Sequence, residues 1–348
     1  MLGRGRSRRS PAISMEILPG VHQLKLPAPV INDQLDVNGY LVGGDRDWLL
    51  VDTGWNTGHT FRSLERQLQE IGVAFQDIRR IIITHFHPDH YGLAGRVKEV
   101  SGAEVLLHWI EQDFIDSRYI SMDSLLEQTA GMLRMQGVPG DELPRLQTAS
   151  MDVRRYVSPS LADTTLSGGE RIRQANFDLQ VVWTPGHSPG HVCLYEPQRR
   201  LLFSGDHLLP TIFPNVGLHP QSGEDPLGNY LRSLQAVAEL EVDVVLPAHE
   251  HVFHNMRERV REIEQHQRGR KAAILAVLKE KCNTAYEVSC RIPWILNGVT
   301  MSFAELPALD KRLAVMSALA HLEPLCDEGA ARKSTRDGVA FYEAAAPN

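Results

Sequence analysis

Along the first third of the chain, short apolar runs give way to amphipathic ones. GVHQLKL at 20–26, NGYLVGG at 38–44 and DWLLVDTG at 47–54 are of strand length, and each closes on glycine or a turn residue. The period then changes. In HTFRSLERQLQEIGV, residues 59–73, Phe61, Leu64, Leu68 and Ile71 recur at helical spacing with charge on the other face, and Gly72 is a stop. The apolar run RRIIIT follows and ends abruptly in the polar HFHPDH. A helix over YGLAGRVKEVSG and a strand over EVLLHW repeat the alternation. This β-α-β-α order predicts strands that deliver their ends to one common site.

From about 110 to 165 the alternation stops. A helical stretch bearing Met and Leu, interrupted by Pro139, Gly140 and Pro144, predicts an insertion that either caps the site or packs at the periphery. Strands resume in DLQVVWTPG at 178–186, HVCLYEP at 191–197 and RLLFSGD at 200–206, and a helix over about 226–240 leads into DVVLPAHEH. A long helix from Met256 to Lys281 opens a different composition. TAYEVSCRI and LPALDKRLAVMSALAHLEPLCDEG read as helices, and ARKSTRDGVAFYEA reads as a hairpin about Asp337-Gly338. Helices followed by a small hairpin resemble a winged-helix unit. The expected organisation is a disordered leader over 1–14, a body over 15–255 and a C-terminal unit over 256–348.

Composition narrows the class. With 43% hydrophobic and 23% charged residues the chain reads as an ordinary globular protein, and a net charge of −7 gives no global reason to expect nucleic acid or membrane as partner. Cys193, Cys282, Cys290 and Cys326 are scattered without a CxxC pair, so reduced thiols and a cytoplasmic location are expected rather than disulfides or a thiolate metal site. The basic opening MLGRGRSRRSPAIS leads into no apolar stretch, and no run approaches the roughly 20 apolar residues of a membrane span.

The chemistry lies in Thr84-His85-Phe86-His87-Pro88-Asp89-His90, where three imidazoles and a carboxylate crowd the loop at one strand end. Such crowding is costly unless a cation is shared, and histidine nitrogen and aspartate oxygen are ordinary ligands for zinc, iron or manganese. Two cations about 3.5–4 Å apart lower the pKa of a shared water toward ~7 and polarise a carbonyl or phosphoryl oxygen, so hydrolysis is the expected chemistry. Asp89 is the candidate catalytic residue, placed to orient that water or receive its proton. Asp52 in VDTG reads either as a partner of a ligand imidazole or as a cap on backbone amides. His191, His207, His219, His251 and His254 read individually as structural or solvated histidines, and Cys193 as core.

THFHPDH resembles the HxHxDH signature of the metallo-β-lactamase superfamily. VDTG at 51–54, TPGHSPGH at 184–191, SGD at 204–206 and PAH at 247–249 resemble further landmarks in order, so the similarity runs from about Met15 to Phe253. The resemblance implies a four-layer αββα sandwich of two mixed sheets with helices outside. It also implies His85, His87 and His187 on one metal, Asp89, His90 and His249 on a second, and Asp206 bridging both. Zinc follows from the resemblance; the residue types leave iron and manganese open.

Cysteine-using β-lactamases would show Cys where this chain has Asp206, and the basic glutathione-binding sequence of glyoxalase II is missing from the C-terminal part. The body with a winged-helix-like tail is similar to the β-lactamase-like protein 2 group of endoribonucleases and polyketide thioesterases. Two functions follow: hydrolysis of an ester, thioester or lactone of a small molecule, or cleavage of single-stranded RNA. RNA would call for a basic stripe with aromatics, whereas Arg257, Arg259, Arg261, Arg268, Arg270 and Lys271 are interspersed with Glu258, Glu262 and Glu264 and read as a solvated helix. Charge therefore favours the small molecule. A homodimer built on the tail is compatible with both functions. A non-catalytic binding protein is disfavoured by the full ligand set.

Overall fold

A computed structural model describes residues 14–29, 35–296 and 298–346. The expected leader therefore lies, but for residue 14, outside the described residues. Seven strands form one sheet in sequence order: β1 (Met15–Leu18), β2 (Val21–Leu26), β3 (Val37–Gly44), β4 (Asp47–Val51), β5 (Ile78–Ile82), β6 (Glu104–His108) and β7 (Thr164–Leu166). Pairing is antiparallel from β1 to β4 and parallel from β4 to β7. The second sheet has β8 (Arg171–Gln174), β9 (Phe177–Trp183), β10 (Val192–Glu196), β11 (Leu201–Gly205) and β12 (Val244–Pro247) in the order β12-β11-β10-β9-β8. Only its β11–β12 pair is parallel.

Strands that look uniformly apolar in sequence do so because both their faces are covered. Leu49 and Val51 of β4 face the other sheet, together with Val181, Leu194 and Phe203, whereas Trp48 and Leu50 face an outer helix layer. That layer contains α1 (Gly58–Ile71), α2 (Pro88–Tyr91) and α3 (Ala94–Ser101). Helix α1 starts where the Thr57 hydroxyl accepts from the Thr60 amide at 2.9 Å and stops at Gly72 in the left-handed region, with Leu64 and Leu68 buried between. On the far side, Cys193, Leu202 and Val245 pack against the helices over Pro226–Ala238 and Met256–Glu280. The expected αββα layering is thus present.

The insertion after β6 comprises α4 (Trp109–Ile115), a π-helical turn over Asp116–Ile120, α5 (Asp123–Met135) and α6 (Leu143–Gln147). Beyond it run α7 (Pro226–Ala238), α8 (Met256–Glu280), α9 (Ala285–Arg291), the hairpin β13 (Trp294–Leu296) and β14 (Val299–Met301), and α10 (Ala308–Asp327). The chain closes on β15 (Ala331–Arg336) and β16 (Val339–Ala344), joined by the two-residue turn Asp337-Gly338 with both φ positive, as a type I′ hairpin requires. Insertion and C-terminal elements share one core, in which Leu133, Leu143 and Leu146 pack with Ile274, Leu319 and Tyr342. Helix α10 is buried almost all round because it lies between these partners.

One sequence expectation changes here. Helix α8 is not simply a solvated face. Arg259 is 4% exposed, donates to the Leu209 and Ile212 carbonyls at 2.7 and 2.8 Å, and stacks over Phe213, while Arg270 stacks over Trp294. Arg268 and Glu264 do pair at i,i+4 as expected, at 3.7 Å. No helix among the described residues is long and apolar enough to cross a membrane.

Candidate metal centre

The chain turns sharply after parallel strands β4, β5, β11 and β12, and each of these turns carries a polar side chain into one space between the sheets. Asp52 follows β4, His85 to His90 follow β5, Asp206 follows β11 and His249 follows β12; the β9–β10 loop brings His187. Two glycines make the close approaches. Gly186, at φ +143°, lets the His187 loop lie directly on α7, since a Cβ there would sit 2.4 Å from that of Tyr230. Gly205, at φ +51°, leaves room for His191 beside Asp206, where a Cβ would meet the imidazole Nε2 at 2.6 Å.

All seven residues singled out from the sequence come together. His87 Nδ1 lies 2.8 Å from His85 Nε2 and 3.0 Å from His187 Nε2, so three ring nitrogens converge. Asp89 Oδ2 is 3.6 Å from His90 Nε2 and 3.4 Å from His249 Nε2. Asp206 stands between these groups: its Oδ2 is 3.5 Å from both His90 Nε2 and His187 Nε2, and its Oδ1 is 3.3 Å from His249 Nε2. Ligand-type atoms of His85, His87 and His187, of His85, His90 and Asp206, and of Asp89, His90 and His249 each lie within 4.8 Å of one another.

The outer ring nitrogens show what the inner ones are for. His90 Nδ1 donates to Asp52 at 2.8 Å, His187 Nδ1 to the Asn215 carbonyl at 2.8 Å, and His249 Nδ1 to the Asp36 carbonyl at 3.1 Å. His85 Nδ1 donates to the Thr84 hydroxyl, which itself donates to Asp52. With the outer nitrogen bonded in this way, each Nε2 faces inward, the arrangement by which a protein prepares imidazoles for a metal. His90 Nε2 and Asp206 Oδ1 are buried and make no hydrogen bond, a deficit that a cation would remove.

Electrostatics agree with that fit. Burial and neighbouring imidazoles hold His85 and His87 well below the ordinary histidine pKa, so their lone pairs are free. Burial opposes charge on His90 and His249 too, yet the carboxylates of Asp89 and Asp206 outweigh it and raise both, His249 to about 10. Asp206, despite burial, is held ionised by His249 and His90. Carboxylates that bind protons this firmly through two imidazoles suit divalent cations in the protons' place.

Asp52 performs both roles that its sequence position allowed. Its Oδ1 accepts from the Thr84 amide at 2.8 Å while Oδ2 holds the His90 ring. The next residue, Thr53, donates twice to the His90 carbonyl, so the VDTG turn grips His90 at both ends. His191 is fully committed: its Nε2 accepts from the Asp206 amide at 3.1 Å and its Nδ1 meets the Thr184 hydroxyl at 2.8 Å. His207 is buried against Tyr230, His251 and His254 are exposed, and His219 lines a cavity described below.

Sequence reading missed Glu111. This buried carboxyl accepts from the Phe86 amide at 2.9 Å and the Gly190 amide at 2.6 Å, tying the loop of His85 and His87 to the loop of His187. Burial pushes its pKa up to about 7. A lone glutamate in the first turn of α4 carries no local mark of such a role. Glu111→Ala is expected to lower stability by about 2–4 kcal/mol and metal affinity by roughly 10–100-fold, measured by denaturation and competitive chelation. Unchanged metal affinity would remove Glu111 from the scaffold of the site.

The cluster opens into a cavity of about 600 Å³. Its far walls come from the insertion, through Met122 and Leu126, and from the C-terminal unit, through Trp294, Leu313 and Met316. The insertion therefore lies over the site rather than at the periphery.

Known proteins match this architecture. The sequence profile of the Metallo-beta-lactamase superfamily matches residues 32–249. The chain is 29% identical to the "Probable metallo-hydrolase YqjP" of Bacillus subtilis over 73% of its own length and 79% of that protein's. It is 24% identical to the "Beta-lactamase-like protein 2 homolog" of Caenorhabditis elegans over 77% and 76% of the two chains. Among solved structures, the metallo-beta-lactamase family protein TTHA1429 of Thermus thermophilus superposes with a TM-score of 0.79 at 32% identity, over 94% of this chain and all of that one. A profile match over most of the chain, on two sheets whose ends gather histidines and aspartates, means that this protein belongs to the metallo-β-lactamase superfamily and is a metallo-hydrolase.

Proposed function

We propose that the protein holds two divalent metal ions, zinc by preference, and hydrolyses an ester, thioester or lactone of a small molecule. His85, His87 and His187 hold one ion, Asp89, His90 and His249 the other, and Asp206 bridges them. The observation that carries this reading is the inward-facing Nε2 of four imidazoles whose outer nitrogens are already bonded. Ions bound there would supply a water of lowered pKa and a polarised acyl oxygen. Asp89 lines the cavity and is 18% exposed at its side chain, so it can orient that water and take its proton. Asp52, Thr84 and Glu111 keep the imidazoles and loops in register, and the largely apolar walls exclude bulk water from the acyl group.

The boundaries at 15–255 and 256–348 are kept as the body and its C-terminal unit, and we read that unit as a wall of the substrate pocket. The cavity also supports the small molecule over single-stranded RNA, since about 600 Å³ is the size of a small-molecule pocket. Zinc-loaded protein assayed on thioesters, esters, lactones and single-stranded RNA provides the test. Acyl turnover that a chelator abolishes, zinc restores and His187→Ala lacks is the expected result. Cleavage of RNA alone would overturn the acyl reading.

A further inference from the structure

The cavity contains two arginines that, among the described residues, pair with no carboxylate. Arg312, on α10, is 9% exposed and donates only to the Leu146 and Gln147 carbonyls, at 3.4 and 3.2 Å; its Nε has no partner. Arg118, in the π-helical turn of the insertion, donates to the Gln221 side chain at 2.8 Å and stacks over Phe86 at 4.3 Å. Among the described residues neither forms an ion pair with a carboxylate. Glu111 feels the charge of Arg118, but its oxygens are committed to two amides. Of the acids on the walls, Asp89 and Asp206 belong to the histidine cluster, Glu250 is bound to the Thr211 and Ile212 amides, and Asp310 forms no ion pair among the described residues.

One turn links the two arginines: Arg118 bonds Gln221, and the Leu218 amide donates to Met316 on α10, the helix of Arg312. Arg118 adds to the burial that pushes the Arg312 pKa down to about 10, and both, together with His187, act on His219. His219 is neutral, and its Nδ1 accepts from the Gln221 amide at 3.2 Å, which leaves Nε2–H as a donor. Arg312, deprived of water and of a counter-ion, is costly, and the remedy is an anion that accepts several N–H bonds, which the half-buried Arg118 can share.

We propose that the substrate carries an anionic oxygen group, carboxylate or phosphate, on an otherwise apolar body, and that Arg118 and Arg312 bind it while the acyl bond reaches the cluster around Asp206. This rests on the acyl-hydrolase reading and specifies its substrate class. Both residues touch the cavity that His87, His187 and Asp206 also line, so one small molecule spans the two ends.

The test separates binding from turnover. Zinc-loaded full-length protein is titrated calorimetrically with ketone analogues of butanoyl thioesters, in which methylene replaces sulfur. One analogue is neutral, one carries a terminal carboxylate on the acyl side, and one carries a phosphate on the thiol side. At least one charged analogue is expected to bind about tenfold or more tighter than the neutral one, and its identity names the source of the anion. Arg312→Met and Arg118→Met should each erase most of that preference, with Arg312→Lys retaining part of it, in protein whose circular dichroism and two-metal content are unchanged. Equal binding of all three analogues overturns the proposal, as does a preference that survives both methionine variants or competition by a single-stranded RNA oligomer that is then cleaved. Preference without thioester hydrolysis would instead strike the acyl-hydrolase reading and leave the anion site standing.

Discussion

Asp206→Asn is expected to cut kcat/KM by about 10³-fold and to take bound metal from two equivalents toward one. The carboxylate reaches both halves of the cluster, with Oδ2 at 3.5 Å from His90 and His187 and Oδ1 at 3.3 Å from His249. Asparagine keeps the shape and one carbonyl oxygen but loses the charge, and its amide group would direct hydrogens at a cation. A metal pair contributes several kcal/mol of charge stabilisation in the transition state, and about 1.36 kcal/mol corresponds to each tenfold in rate. Steady-state kinetics with elemental analysis of the purified variant reads both effects. Two tightly held metals with full activity would show that Asp206 does not bridge.

Asp52→Ala should be the most damaging change to the scaffold, lowering stability by about 3–5 kcal/mol and metal affinity by roughly 10–100-fold. The pair it breaks is buried on both sides, with His90 and Asp52 side chains 0% and 2% exposed. Three donors lose their acceptor together: the His90 ring, the Thr84 amide and the Thr84 hydroxyl. Backbone strain adds to this, because Asp52 sits at φ +57°, a conformation that aspartate and asparagine tolerate better than alanine. Asp52→Asn separates the causes: it should keep most of the fold yet lose metal affinity, since a neutral side chain no longer stabilises the His90 N–H. Denaturation midpoints and chelator competition on both variants decide the matter, and an alanine variant as stable as the parent would contradict the account.

The parts of this molecule visible in sequence are those whose physics is local. Central strands such as β4 and β10 were legible because two-sided burial makes them continuously apolar, and α1 because Phe61, Leu64, Leu68 and Ile71 recur at helical spacing and Gly72 marks its end. The seven clustered site residues were legible because four of them fall within six positions after β5, and because TPGHSPGH, SGD and PAH resemble family landmarks that imply His187, Asp206 and His249. Strands β7 and β8 and the β13–β14 hairpin were not foreseen: each is three or four residues long and partly exposed, so pairing with a neighbour, not pattern, defines it. Glu111, Arg118, Arg259 and Arg312 escaped for a related reason. In sequence they are ordinary charges on helices, and only tertiary packing turns them inward.

Because insertion and C-terminal unit share one core, the far walls of the cavity are assembled from stretches more than a hundred residues apart. A ribosome finishes His249 well before it reaches α10, so the nascent chain has every proposed ligand to hand while Arg312, Leu313 and Met316 are still unmade. Selectivity then arrives last in synthesis. The same dependence sets a rule for chimaeras: grafting α5 and α6 onto a relative's body without α8 to β16 would strip Leu133, Leu143 and Leu146 of their partners, so the two stretches have to be exchanged as one piece.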